Sequence, residues 1–449
     1  MPNLDEVRAV NFAFSQVGAL EKSTAEEVDN ETLKAFGDLV RQARKLRFWN
    51  QRLASLPEDF TMDDLASLVP ALTRSELQES SGELRLRLPG TSRPQYYLSS
   101  TSGSTGQPVE VMKFGPSQRI QSAVLSLLRA KWAGLDVKKN YARIRNSREV
   151  SSKASWGFPY SMLGKTGSAY ILNANSRGVN GALEALVENE ISYIHGNTTV
   201  LKALALEYKD SHLNGKLKLE KAMTWAEKVT QDDRDLILEH LGVEIWDSYS
   251  SEELGSIALQ CPESQHLHVL PFFTHVEIVD EEGKPCTTGQ PGRVLATSLH
   301  NYAQPLIRYE LGDLASFQEP CPVLPNFPVI NPEVTRLRDE YISKSGAKMF
   351  PGFGKSRFMD YQGIRDFQVI LFTNRILFMF VSSATITPQQ QLEIAEDVGK
   401  QFNFDLPVEL LRVNQDQMQS HWKRKIFYRS SEEVPQIQDF SPLDLTNLS

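Results

Sequence analysis

Apolar positions over residues 31–49 fall at Leu33, Phe36, Leu39, Val40, Ala43 and Leu46, a spacing that predicts an amphipathic helix with one face on a larger body. A second helix is predicted over Gln118–Trp132. Beyond it, short β-rich runs alternate with helical ones. Ser168–Leu172, Ile191–Ile194 and Val243–Trp246 read as strands, and Ala182–Val187, Thr199–Tyr208 and Asp232–His240 as helices. Such alternation predicts an α/β architecture with largely parallel sheets. From Thr274 to Ser298 the pattern becomes two alternating runs around a turn at EEGKP, an antiparallel hairpin.

Leu311 to Gly354 is rich in proline and glycine and has no helical periodicity, which suits a boundary. After it, DFQVILF and RILFMFVSS predict a hairpin around Thr373–Asn374. A helix Pro388–Phe402 with Thr387 as N-cap, a strand VELLRV and a basic loop HWKRKIFYRS follow. The expected organisation is a large N-terminal domain of mixed sheets with flanking helices, residues 1–338, opening with a helical segment over about residues 1–90. A small α+β C-terminal lid domain, residues 339–449, completes it.

Composition narrows the class of function. Of 449 residues, 41% are hydrophobic and 23% charged, an ordinary globular mix too long for one core. The net charge of −8 argues against a nucleic-acid-binding surface, and the basic clusters Arg41–Arg47 and Lys423–Lys425 read as solvated faces or small-anion contacts. Three cysteines, Cys261, Cys286 and Cys321, imply no disulfide framework and suit a reducing cytosol. The N-terminus lacks the basic and apolar regions of a signal peptide. The most apolar stretch, Phe367–Ser382, is interrupted by Thr373, Asn374 and Arg375, so no membrane span is expected. The expected location is cytoplasmic, and a homodimer is compatible with all of this.

The densest chemistry lies in Ser99–Pro108, where six hydroxyls and two glycines occupy ten residues. Ser102, Gly103, Ser104, Thr105 and Gly106 form its centre. Glycine lets backbone N–H groups turn inward and hydroxyls add donors, the lining a triphosphate needs. A serine-rich linker has similar composition, but the flanks QYYL and VEVMKF read as ordered strands. Two Walker-like fragments fail. Gly164-Lys165-Thr166 has Pro159, and Gly354-Lys355-Ser356 has Met349, where the pattern requires its first glycine.

The string TSGSTGQP resembles the Ser/Thr/Gly-rich signature of the adenylate-forming superfamily of acyl-CoA ligases and adenylation domains. With Val109 in place of the usual lysine, it is most similar to the phenylacetate–CoA ligase branch. Further segments agree in order: LVPALTRSEL (68–77), TWAEKVT (224–230), DSYSSEELG (247–255), PLIRYELGD (305–313) and Arg336-Leu337-Arg338-Asp339 followed by Gly346. The resemblance runs from about residue 35 to 430.

That resemblance implies ATP-dependent conversion of a small, aromatic carboxylic acid to an acyl-adenylate, with transfer to coenzyme A. An amine, an amino acid or a carrier-protein thiol is the alternative acceptor, and a degenerate nucleotide-binding homologue is the reading from another class. Because two anions must meet, the chemistry calls for a metal and cationic donors. The resemblance gives Glu253 the Mg²⁺, and Asp313 the ribose hydroxyls. Tyr249 would face the adenine, with Ser251 and Glu252 beside it in the nucleotide site, and Arg336 would contact ribose or phosphate. Asp339 would be the hinge on which the small domain rotates. Lys423, with Lys425 as its substitute, corresponds to the catalytic lysine, although Trp422 stands where glycine usually precedes it. Trp156, Phe158, Tyr160 and Trp225 are candidates for the acid pocket, and Ala226 and Ser250 replace two glycines that line it in relatives. Cys261 and His268 stand where some relatives begin a structural zinc site. Here only Cys321 follows and the tetrahedron is a ligand short unless His266 fills it, so zinc is not expected.

Overall fold

The computed structural model describes residues 10–332 apart from 14, 16, 20, 88–89, 91–94, 101–108, 146–149, 174–177 and 226–228, together with 341–342, 348–349, 364–382, 385–402, 405–413 and 427–429. The chain divides into two compact units, residues 1–99 with 110–335, and residues 100–109 with 336–449.

In the first unit, the predicted N-terminal helix begins earlier, at Ala25, because Thr24 and Glu27 form a reciprocal capping box. It ends at Ala43 rather than running to Trp49, and a separate short helix, Arg47–Arg52, follows. The break occurs where Arg44 turns its guanidinium onto the carbonyl oxygens of Leu53 and Leu56 (3.4 and 2.5 Å) and Leu46 becomes extended. Two further capped helices are Met62–Leu68 and Arg74–Glu79. A two-stranded ribbon, β1 (Tyr96–Ser100) and β2 (Glu110–Phe114), leads into the long helix Gly115–Trp132.

The predicted alternation is realised as a six-stranded sheet. Its strands are β3 (Asn140–Arg145), β4 (Ser151–Lys153), β5 (Ala169–Asn173), β6 (Ile191–Gly196), β7 (Lys221–Thr224) and β8 (Ile245–Trp246), in the order β4-β5-β3-β6-β7-β8. All pairings are parallel except β4–β5. Helices Gly178–Glu188, Thr198–Asp210 and Gln231–Leu241 pack on it through Leu183, Leu201, Leu204 and Ile237, all fully buried.

A seven-stranded antiparallel sheet follows: β9 (Ser248–Ser251), β10 (Gly255–Gln260), β11 (Leu267–Val269), β12 (Thr274–Val279), β13 (Gly292–Ser298), β14 (Tyr309–Phe317) and β15 (Val329–Pro332), in the order β12-β13-β14-β15-β11-β10-β9. The predicted hairpin is β12–β13, in register from Thr274↔Ser298 to Val279↔Arg293. The proline- and glycine-rich stretch read as a boundary from Leu311 therefore begins inside β14. Helix Gly115–Trp132 shares one core with both sheets, through Tyr193, Met223 and Trp246 on one side and Leu259 and Leu270 on the other.

In the second unit, β16 (Tyr341–Ile342) and β17 (Lys348–Met349) form a small ribbon. A mixed sheet of β18 (Ile364–Leu371), β19 (Ile376–Ser382), β20 (Val408–Arg412) and β21 (Phe427–Arg429) is covered by helix Pro388–Lys400, whose N-cap is Thr387. Phe367 and Phe378 stack at 5.2 Å in its core. Among the described residues, no helix is long and apolar enough to cross a membrane.

Candidate active site

A backbone irregularity brings Asp313 forward. Along β13–β14, Arg293 pairs with Leu314 and Leu295 with Glu310, so Leu311, Gly312 and Asp313 together oppose Val294. Gly312 adopts a φ of +76°, which a side chain would resist, and the strand bulges there. Asp313 leaves the ladder and its Oδ2 accepts a hydrogen bond from the Tyr249 hydroxyl at 2.8 Å. Two residues singled out from separate motifs thus meet at one site.

Glu253 lies in the turn after β9. There the Leu254 N–H is held by Ser251 Oγ (3.1 Å) and Gly255 supplies a φ of +89°. Glu253 is 5% exposed, and its Oε1 accepts from Arg74 Nη1 (3.3 Å) and from the Tyr309 hydroxyl (3.2 Å). Burial, reinforced by the Glu253 charge, raises the Tyr309 pKa, so the phenol stays a donor. Among the described residues no group donates to Glu253 Oε2, which leaves an anionic oxygen for a hard cation such as Mg²⁺. The donor set therefore fits the ion the chemistry needs.

Lys113 on β2 was not anticipated from the sequence. It is buried and its Nζ donates to the Glu252 carbonyl oxygen at 2.8 Å. Burial lowers its pKa, against the pull of Glu252 and Glu253. Ser99 on β1 donates to the Glu252 carboxylate. The strands that flank the hydroxyl-rich segment are thus tied to the segment that carries Glu252 and Glu253. Arg74 was part of the quoted LVPALTRSEL motif, but its ion pair joins residues 179 positions apart, which no local pattern reveals.

A cavity of about 620 Å³ opens beside β9, lined by Ser248, Ser250, Glu252 and Ser256 and by residues at the carboxyl ends of the parallel strands. Arg143 of β3, His195 of β6 and Trp225 just after β7 contribute there, with Arg129 from the long helix. The Tyr141 hydroxyl joins His195 Nδ1 (2.9 Å) to Arg143 Nε (3.3 Å), and Trp225 meets the His195 ring edge-on at 4.1 Å.

Of the residues named for the acid pocket, Trp225 and Ser250 line this cavity. Trp156 and Tyr160 do not; they pack edge to face at 5.3 Å, with the indole N–H given to the Lys139 carbonyl (2.8 Å) and the phenol to that of Ser126. Phe158 joins the same aromatic cluster. Ser102, Gly103, Ser104, Thr105, Gly106, Ala226, Arg336, Asp339, Lys423 and Lys425 lie outside the described residues.

The cysteine–histidine set closes. Cys261, His266, His268 and Cys321 bring four ligand atoms within 4.8 Å of one another. The two sulfurs are 3.9 Å apart and the two Nε2 atoms 3.2 Å apart. A tetrahedral zinc with ordinary bond lengths spans edges of roughly 3.8 Å between sulfurs and 3.3 Å between nitrogens. Each Nδ1 is engaged elsewhere, His268 with the Phe327 carbonyl (3.0 Å) and His266 with Ser264 Oγ (2.8 Å), so both Nε2 atoms face the centre. The reason for expecting no zinc was a missing fourth ligand, and His266 is positioned to be that ligand.

No family model matches the chain, and no curated protein does so either. Solved structures do. A 2-hydroxyisobutyryl-CoA ligase in complex with 2-HIB-AMP and CoA, in the thioesterification state, matches with a TM-score of 0.61 and 18% identity, over 90% of this chain and 91% of that one. The same ligase in the postadenylation state with 2-HIB-AMP gives 0.59 and 16% identity, over 90% of each chain. Its open conformation gives 0.57 and 16%, over 91% of this chain and 92% of that one. The chain therefore has the mixed α/β fold of the adenylate-forming acyl-CoA ligases over nearly its whole length.

Proposed function

We propose, from that shared fold, that the chain is an AMP-forming carboxylate–CoA ligase acting on a small acid. The observation that carries this reading is the convergence of three motif segments in one unit, with Tyr249 on Asp313 and Glu253 buried between Arg74 and Tyr309. In the first half-reaction a carboxylate oxygen attacks the α-phosphorus of ATP, the bond from that phosphorus to the α,β-bridging oxygen breaks and pyrophosphate leaves. In the second, the thiol sulfur of coenzyme A attacks the acyl carbon, AMP departs with the carboxyl oxygen and the thiol proton is lost.

This chain's residues would hold the reactants. Asp313 chelates the ribose hydroxyls, its carboxylate oriented by Tyr249, whose ring faces the base. The hydroxyl-rich segment with Ser102, Gly103, Ser104, Thr105 and Gly106 would grip the leaving phosphates, and Ser251 and Glu252 would also serve the nucleotide. Glu253 would hold Mg²⁺, which supplies charge neutralisation at the phosphates. Arg336 contacts the nucleotide, and Lys423, or Lys425 in its stead, contributes the cation at the α-phosphate. Rotation of residues 339–449 about Asp339 reassembles the site for thioester formation. A zinc held by Cys261, His266, His268 and Cys321 belongs to this reading as a structural ion.

Pyrophosphate exchange into ATP across a panel of acids tests the first step. Lys423→Ala should abolish exchange while ATP binding persists; loss only in Lys425→Ala would move the catalytic register by two residues. Absence of exchange with every acid, in a chain that binds ATP, would favour the degenerate homologue. Mass spectrometry of products formed with coenzyme A or with amines identifies the acceptor.

A further inference from the structure

The cavity beside β9 holds two guanidinium groups, those of Arg129 and Arg143. Among the described residues neither forms an ion pair with a carboxylate, although the surrounding surface pairs many of its arginines, Arg52 with Glu76 and Arg293 with Glu310 among them. Arg129 is partly buried and its Nε is enclosed without a hydrogen-bond partner. Arg143 has one neutral contact, the Tyr141 hydroxyl, and lies over the Trp225 ring with its central carbon 6.0 Å from the ring centre. Burial above all, with the Arg143 charge adding to it, holds the Arg129 pKa below its usual value. Two like charges held in one cavity are unfavourable unless an anion joins them.

The remaining lining is mixed, with the rings of His195 and Trp225 beside aliphatic and polar side chains. Ile144 and Val200 are its aliphatic members, while Asn197, Ser248, Ser250 and Ser256 offer hydrogen bonds. Glu252 occupies an exposed position where the cavity adjoins the nucleotide turn, and Ser99 already holds its carboxylate. The wall therefore carries two cations, Arg129 and Arg143, and also includes Glu252, the sequence neighbour of Glu253.

We infer that this cavity takes a short dicarboxylic acid: one carboxylate faces the nucleotide and is activated, and the second is bound by Arg129 and Arg143. A planar guanidinium receives a carboxylate through two parallel hydrogen bonds, which a neutral chain terminus cannot make. The aromatic acid that the resemblance implied lacks this second anion. The inference rests on the cavity's being the acyl site of the proposed ligase, so its test needs one arm that is independent of adenylation.

The first arm is binding. Thermal denaturation of the full chain without ATP should shift upward with succinate or glutarate and not with butyrate or valerate at equal ionic strength. Arg129→Met and Arg143→Met should each abolish that shift, whereas Arg143→Lys retains part of it. The second arm is pyrophosphate exchange with the same acids and with phenylacetate. The ratio of kcat/KM for dicarboxylate over monocarboxylate should fall about a hundredfold in either methionine variant, with the KM for ATP unmoved.

Stabilisation by dicarboxylates without exchange would uphold the anion site and overturn the ligase reading. Exchange that prefers butyrate or phenylacetate would uphold the ligase and overturn the dicarboxylate. A rise in the ATP KM without a change in acid preference would assign the arginines to the phosphates and also overturn it. A methionine variant that fails to fold is replaced by Arg143→Lys, whose partial retention of preference then decides.

Discussion

The Tyr249 hydroxyl donates to Asp313 Oδ2 at 2.8 Å, across 64 residues of sequence and between strands at different places in the seven-stranded sheet. If Asp313 chelates the ribose, this bond fixes which of its oxygens is presented. Tyr249→Phe keeps the ring and loses the donor, so the KM for ATP should rise about fivefold, as expected for one ordinary hydrogen bond of about 1 kcal/mol. Asp313→Ala should raise it far more. Exchange kinetics at varied ATP measure both, and an unaltered KM in Tyr249→Phe would reduce the contact to packing.

Glu253 invites a charge test that preserves shape. Glu253→Gln keeps an acceptor for the Tyr309 hydroxyl and for Arg74 but removes the anion that would meet Mg²⁺. Exchange should fall about 100- to 1000-fold, with a shifted Mg²⁺ dependence. The thermal transition serves as control, because Arg74 loses its ionic partner in the same substitution. Normal activity with a lowered transition would make Glu253 a structural acid.

Legibility in the sequence followed the range of the signal. Tyr249, Glu253 and Asp313 stood out because each occupies a fixed place in a short motif, and the structure draws Tyr249 and Asp313 into contact. Three of the parallel strands and the β12–β13 hairpin were readable from periodicity. Strands β3 and β7 were not, because each is short and is defined only by the parallel neighbours that pair with it on either side. Arg129 and Arg143 drew no reading from the sequence, because neither sits in one of the short motifs. Only the folded chain brings both to one cavity. His266 was seen as a conceivable ligand, but its meeting with Cys321 depends on β11 pairing with both β10 and β15.

The cysteine–histidine cluster yields an outcome independent of catalysis. The full chain purified without chelator should carry one equivalent of zinc, measured by elemental analysis, and cobalt substitution should give the absorption of a thiolate-bound tetrahedral ion. His268 also meets Trp132 edge-on at 6.1 Å, so the ion would pin the end of the long helix through that contact. Chelation, or Cys261→Ser, should lower the thermal midpoint by at least ~5 °C. His266→Ala should weaken zinc retention while Cys286→Ser leaves it unchanged, since Cys286 lies outside the cluster. Retention of zinc by His266→Ala would remove that residue from the ligand set.

Acid sensitivity should centre on His275. Its ring meets Phe36 edge-on at 5.2 Å beneath the N-terminal helix, and desolvation, with the Arg308 charge next in weight, pushes its pKa down to about 4. Unfolded, the same side chain titrates near 6.5. Between those values the unfolded chain binds a proton that the folded chain refuses, so the stabilisation is complete above about pH 6.5 and drains away as pH falls toward 4. The full span corresponds to at most about 3 kcal/mol. Arg308, the source of the charge repulsion, is held in place by Glu277 through contacts of 3.0–3.1 Å. Denaturant titrations at pH 7.0, 5.5 and 4.5, with zinc content held equal, measure this. His275→Leu removes the titrating ring and should flatten that part of the curve. An unchanged slope in the variant would place the acid sensitivity in other buried groups.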